Sequence, residues 1–160
     1  MASDFLLEID GIKGESQDSK HKEAIEIESF SWGVGNSGSH ASGGGGGAGR
    51  ASFQDLQLTA NVSKASPTLM LKCATGDHIK KAALFVRKQG KDQQEFYIVT
   101  LEDLLVSSYR SGDSTGGNPV PTDQFSLNFA KIKFEYKIQN KDGSLGATST
   151  GTWDLKANKE

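Results

Sequence analysis

The sequence predicts a mainly β fold: a barrel or two-sheet sandwich of about seven to eight strands with one short helix on its side. Three observations carry this. Apolar residues alternate with polar ones over most of the chain, which is the side-chain period of a half-buried strand. Only one stretch, Ser66 to Gly76, has helical punctuation. Gly/Ser-rich segments separate the alternating runs, as turns do in all-β folds. At 160 residues, 35% apolar and 24% charged, the chain suits a single domain over 1–160 with a modest core.

The longest alternating element is 125–138. Phe125, Leu127 and Phe129 hold odd positions, while Ile132, Phe134, Tyr136 and Ile138 hold even ones. The phase slips at Ala130-Lys131. A β-bulge at that point, or a strand that leaves one sheet for another, accounts for the slip. Asn140-Lys141-Asp142-Gly143 then predicts a tight turn, and 145–155 the return strand near an edge.

From the N-terminus, Phe5, Leu7 and Ile9 mark a first strand, and polar 11–23 a loop. Glu23 to Trp32 is a second strand, with Ile25 and Ile27 on one face and Phe30 and Trp32 on the other. Gly33 to Gly49 holds nine glycines and has no apolar anchor, which predicts a long loop that is functional or disordered. Arg50 to Val62 comes next as a strand. Ser66 is the expected N-cap, Pro67 the first helical residue and Gly76 the stop, with Leu69, Met70, Cys73 and Ala74 as the packing stripe. His78 to Lys88 and Glu95 to Tyr109 read as strands around the turn 89–92. In the latter the phase changes between Leu101 and Leu104. Ser111 to Asp123 is a second long loop.

Composition narrows function. Net charge is −2, so no global basic field points to nucleic acid. The apolar run Ala82 to Val86 is too short to cross a bilayer. One cysteine, Cys73, fits folding in a reducing compartment and reads as packing rather than a nucleophile. The start Met1-Ala2-Ser3-Asp4 lacks the basic segment of a secretory leader, so cytoplasmic folding is expected, and any export takes a route without a cleaved signal.

Candidate chemistry is sparse. Gly44-x-x-x-x-Gly49-Arg50-Ala51 lacks the Lys and Ser/Thr of a phosphate loop, and it leads into a strand rather than a helix. His21, His40 and His78 lie in separate segments, have no metal-ligand spacing and read as solvated surface groups. No nucleophile elbow is present. Catalytic residues, metal and cofactor are all expected to be none. Lys80-Lys81 and Arg87-Lys88 read as solvated or edge-guarding charges. Unpaired strand edges and a long arm favour an interaction protein whose copies cover one another. A monomeric sandwich that binds a ligand or glycan on Trp32 or Trp153 is the alternative.

Several ordered segments resemble the haemolysin-coregulated protein (Hcp) family, the tube proteins of type VI secretion. They are 12–16 (IKGES), 29–33 (SFSWG), 43–50, Ser66-Pro67-x-Leu69-Met70, His78-Ile79, 86–88 (VRK), 105–108 (LVSS), 127–131 (LNFAK) and Gly151-x-Trp153. The resemblance implies a β-barrel with a helix on the side and homohexameric rings that stack into a secreted tube. It implies a VgrG-type spike, a contractile sheath and small effector cargo as partners, and no catalysis. Gly43, Gly44, Gly45, Gly46, Gly47, Gly49 and Arg50 correspond to the family loop that contacts neighbouring subunits or rings. With the sequence ending at Glu160, a few residues past the last strand, no C-terminal effector extension is expected.

Overall fold

A computed structural model of the chain describes residues 3–38, 50–88, 93–117 and 119–160. Eight strands and one helix run in order: β1 (Ser3–Ile9), β2 (Ile25–Ile27), β3 (Ser29–Asn36), β4 (Ala51–Asn61), α1 (Ala65–Thr75), β5 (Ile79–Lys88), β6 (Glu95–Gly112), β7 (Thr122–Gln139) and β8 (Leu145–Asp154). All strand pairs are antiparallel, in the order β2-β1-β5-β6-β7-β4-β3, with β8 on β7.

The sheet curls into a barrel because its two terminal strands are neighbours in the chain. Ile25 and Ile27 pair with β1, then Ser29 onward pairs with β4. The hand-over is at Glu28, whose N–H donates to Thr59 O at 2.7 Å. This explains the phase change between Ile27 and Phe30, since a chain that changes partner also changes which face it buries. Inside lie Leu7, Leu56, Leu84, Val99, Leu101, Phe125 and Leu127, each at most 2% exposed. An aromatic set fills one end: Phe5 meets Phe30 edge-on at 5.1 Å, and Trp32 meets Phe134 edge-on at 5.2 Å.

The slip in β7 has the second of its two expected causes. At Ala130, β7 exchanges β4 for β8: it pairs with β4 through Leu127 and with β8 from Lys131. Its register with β6 does not change there, because Leu104↔Phe129 and Glu102↔Lys131 keep one alignment. No bulge occupies 130–131. The residue opposite, Asp103, has φ 51°, so both strands turn their buried face over at one place. The bulge between these strands lies at Ser107 on β6. Asp55, where β4 parts from β7, accepts from Ser107 Oγ at 2.7 Å and Asn128 Nδ2 at 2.8 Å, which fastens the fork.

Two details of the helix differ from expectation. It begins at Ala65 with Lys64 as cap residue and no side-chain cap bond, so Pro67 is the third helical residue. Ser66 is committed elsewhere: its hydroxyl accepts the Ser63 N–H at 3.0 Å and donates to Asp123. Gly76 terminates the helix as expected, with φ 69°. Of the expected stripe, Leu69 is buried and Cys73 half-buried, while Met70 and Ala74 face solvent.

Polar 11–24 is not a loose loop. Ile12 and Ser16 are buried, and backbone bonds run from Gly14 N to Glu23 O and from Glu23 N to Ser16 O. Gly14 lies so close to its partner that a Cβ would fall 2.5 Å from Ala24 O. The segment covers Leu6 and Phe85 on the outside of β1 and β5, with His21 stacked on Phe85 at a centroid distance of 4.3 Å.

Candidate assembly surfaces

The histidine expected at the surface is 7% exposed. His21 Nδ1 lies 2.7 Å from Glu8 Oε1, and Nε2 hydrogen-bonds Glu95 Oε1. Burial alone pulls the imidazole pKa down, but hydrogen bonds and charge from Glu95 and Glu8 outweigh it and raise the pKa. A raised pKa stabilises the fold fully below the unfolded value, near 6.5, and that stability is lost as pH rises through the folded pKa. The Tm advantage of the native chain over His21→Asn should therefore be larger at pH 6 than at pH 9. A constant difference would mean that the ring contributes packing alone.

Arg87, read from sequence as a solvated charge, is 4% exposed. Its Nη1 lies 2.5 Å from Asp18 Oδ2 and its Nε 3.4 Å from Asp4 Oδ2. Two ionic clasps therefore fasten 11–24 to the barrel, and neither left a local signal in the sequence. Lys80 and Lys81 are exposed as expected, but they sit on β5, which is paired on both sides and so has no edge to guard. His78 is exposed, and His40 lies outside the described residues.

The binding platform of the alternative reading does not form at Trp32. Its indole N–H donates to Tyr97 Oη at 2.8 Å, and its ring packs into the aromatic end. Trp153 is half-buried opposite Ile132, beside a shallow hollow of about 300 Å³. Among the described residues no three His, Cys, Asp or Glu side chains are grouped to hold a metal.

What the fold leaves uncovered is strand edge. β3 pairs with β4 alone, and β8 with β7 alone, among the described residues. The tail covers one end of β8, where Asp154 and Lys159 exchange backbone bonds of 2.7 and 3.3 Å. Because the Asp154 N–H points outward, those of Thr152 and Thr150 do too. The open part of β8 is Ala147 to Thr152, short and uncharged, and β3 ends Gly33-Val34-Gly35-Asn36 with Val34 55% exposed. Neither edge carries the lysine, proline or inward charge that normally blocks pairing with another chain. The helix adds an exposed stripe at Pro67, Met70, Leu71 and Ala74, spaced i, i+3, i+4, i+7. Tyr136 and Ile138 are exposed where β7 and β8 run past the barrel.

Arg50 is exposed at the start of β4; Gly43, Gly44, Gly45, Gly46, Gly47 and Gly49 lie outside the described residues. The segment from Ala51 onward is strand, as expected.

The family model described as type VI secretion system effector, Hcp, matches residues 6–136. The chain belongs to the Hcp family. Protein hcp1 of Pseudomonas aeruginosa is 41% identical over 160 residues, covering 99% of this chain and 98% of its own. Among solved structures, a type six secretion system protein superposes with a TM-score of 0.93 at 31% identity, covering 99% of each chain. Hcp1 from Salmonella typhimurium gives 0.81 at 36% identity, covering 100% of this chain and 99% of its own. The curled sheet with one flanking helix is thus an Hcp fold, and the open edges belong to a member of the type VI secretion Hcp family.

Proposed function

We propose that this Hcp-family chain is a tube subunit: six copies close into a ring around a channel, and rings stack into a tube exported by type VI secretion. The observation that carries the reading is the pair of unguarded edges on β3 and β8. They lie on different strands of one molecule, so an edge-to-edge contact between copies is heterologous and closes into a ring when the rotation allows. Small effectors ride in the channel, a VgrG-type spike caps the tube and a contractile sheath surrounds it. The reading assigns Gly43–Gly47, Gly49 and Arg50 to contact with a neighbouring copy. The chain folds in the bacterial cytoplasm as one domain and is delivered outside by type VI secretion. The reading assigns it no catalytic step.

Thr150→Pro tests the edge. It removes an outward N–H and leaves the β7 ladder intact. The native protein is expected to elute at six times its 17.1 kDa chain mass. The variant should shift to smaller species with Tm changed by only a few degrees. A native protein that stays a single chain at high micromolar concentration overturns the reading, and a variant that keeps the ring moves the contact away from β8.

A further inference from the structure

Residues 17–22 are held on the barrel by side chains. Among the described residues, none of their backbone groups bonds to a strand. Two ionic clasps hold them, and only one titrates near neutral pH. Asp18 is held by Arg87, which keeps its charge throughout the ordinary pH range. His21 is held by two carboxylates from two strands: Glu8 of β1 at Nδ1, 2.7 Å away, and Glu95 of β6 at Nε2. β5 supplies the floor, where the ring lies on Phe85 with 30° between the planes.

The other charges around the ring are committed or face solvent. On β5, Arg87 is taken by Asp4 and Asp18. On the segment itself, the Asp18 carboxylate accepts the Lys20 N–H at 3.0 Å and the His21 N–H. Lys20 and Lys22 are exposed, and Glu23 pairs with Lys13 and Lys64. The donor count of the imidazole therefore decides what the clasp does. A protonated ring has two N–H donors, one for each carboxylate. A neutral ring has one N–H and one lone pair, so one carboxylate loses its donor and faces that lone pair. The backbone is loaded at the same place. Glu23 has φ 65°, a conformation that non-glycine residues adopt at a cost. Its N–H on Ser16 O at 2.9 Å closes the base of the loop.

We propose that 17–22 is a pH-sensitive strap: with His21 protonated on both nitrogens it lies closed on β1, β5 and β6, and loss of one ring proton frees a carboxylate and lets the strap open between Ser16 and Glu23. Opening uncovers Phe85 and takes Asp18 out of the wall of a cavity of about 550 Å³ that Arg87 also lines. The direction follows from charge. Two carboxylates favour the imidazolium and hold its pKa above the ordinary value, so the strap is closed on the acid side and loosens as pH rises through the folded value. The device belongs to the single chain and stands apart from how copies assemble.

Lys20 and Lys22 make trypsin the reporter, because cleavage of a locally opened segment tracks its open population. Full-length protein is digested briefly at pH 6 and pH 9, and products are assigned by mass. Each rate is divided by that of a free peptide of residues 15–26 at the same pH. The native rate at Lys20 and Lys22 is expected to rise about tenfold from pH 6 to pH 9, the effect of losing one hydrogen bond to a charged group. Lys81 and Lys133, on β5 and β7, should show no such rise. Glu95→Gln removes the sensor and keeps the strap: an amide donates to a bare ring nitrogen and accepts from a protonated one, so its rate should change by about twofold or less. Glu8→Gln makes the same test from the other nitrogen. The ring proton is followed directly by NMR at the His21 Cε1–H. A native rate that stays flat, a tenfold rise that persists in both glutamine variants, or an equal rise at Lys81 and Lys133 overturns the strap. A ring still fully protonated at pH 9 overturns it too, because the clasp then never lets go.

Discussion

Arg87→Met is expected to cost about 3–5 kcal/mol, the range for breaking a buried ion pair by removing one partner. The guanidinium is 5% exposed and the Asp18 side chain 8%, so the carboxylate left behind loses its cation at a site with little contact with solvent. For a chain of this size that corresponds to a Tm lower by roughly 10–15 °C. The loss should depend on pH. Burial pushes the Asp18 carboxyl up, but the Lys20 N–H and the Arg87 guanidinium outweigh it and hold the pKa below the ordinary carboxylate value. A depressed pKa contributes stability that is present above the unfolded value, near 3.9, and lost as pH falls through the folded one. The gap between native and variant should therefore be widest near pH 7 and should close below pH 4, where protonation relieves the orphaned carboxylate. Adding Asp18→Leu should recover most of the loss. A thermal scan in which Arg87→Met melts within 2 °C of native would show that the pair contributes nothing and that 11–24 is held by His21 and backbone bonds alone.

That cluster also shows where sequence reading stops. The strands were legible because alternation is a local property: Leu56, Leu58 and Ala60 are two apart, and all three are buried on one face. The turn at Asn140–Gly143 was legible for the same reason, and Gly143 has φ 89° with its N–H on Asn140 O at 3.0 Å. Residues 11–24 look like solvent-facing loop because lysine, serine and glycine dominate them. Their burial comes from partners 13 and 74 residues from His21, and from a glycine chosen for what it lacks. Long-range ion pairs carry no spacing rule, so Arg87 and His21 were invisible. The helix was located correctly, but its buried face only in part: of the expected stripe Leu69, Met70, Cys73 and Ala74, the barrel took Leu69 and half of Cys73 and left Met70 and Ala74 outside.

The slip at Ala130 sharpens the same lesson and bears on assembly. A change of phase says that the buried face changes, not why. An inserted residue and a change of partner give one signature in sequence. Here the partner changes, and its consequence is structural: once β7 takes β8 in place of β4, β8 becomes an edge and β4 with β3 runs free on the other side of the fork. A bulge at 130–131 within a continuous β4–β7 pair would have left no such opening. The β8 edge is thus a by-product of the feature that makes β7 look irregular, whereas β3 is an edge because it ends the strand order.

Asp123→Ala is expected to cost about 2–4 kcal/mol, from one buried and one half-buried hydroxyl losing their shared acceptor at about 1–3 kcal/mol each. Asp123 is 2% exposed and has no cation partner among the described residues. Its Oδ2 accepts from Ser66 Oγ and its Oδ1 from Tyr109 Oη at 2.6 Å. One carboxylate therefore joins the first turn of α1 to β6 and β7. That matters because the helix has no side-chain cap and only Leu69 fully buried along its packing stripe. Asp123→Asn keeps one acceptor and should lose about half as much. Tyr109 gives an independent signal: burial first, then the Asp123 carboxylate, raises its hydroxyl above the usual value near 10, so the alanine variant should ionise it at lower pH than native. Amide exchange should accelerate in 65–75 before it does in β5 or β6, because α1 loses its tether while the barrel ladders remain. If exchange instead accelerates uniformly, Asp123 supports the barrel as a whole, and the outward stripe at Pro67, Met70, Leu71 and Ala74 is positioned by Leu69 without it.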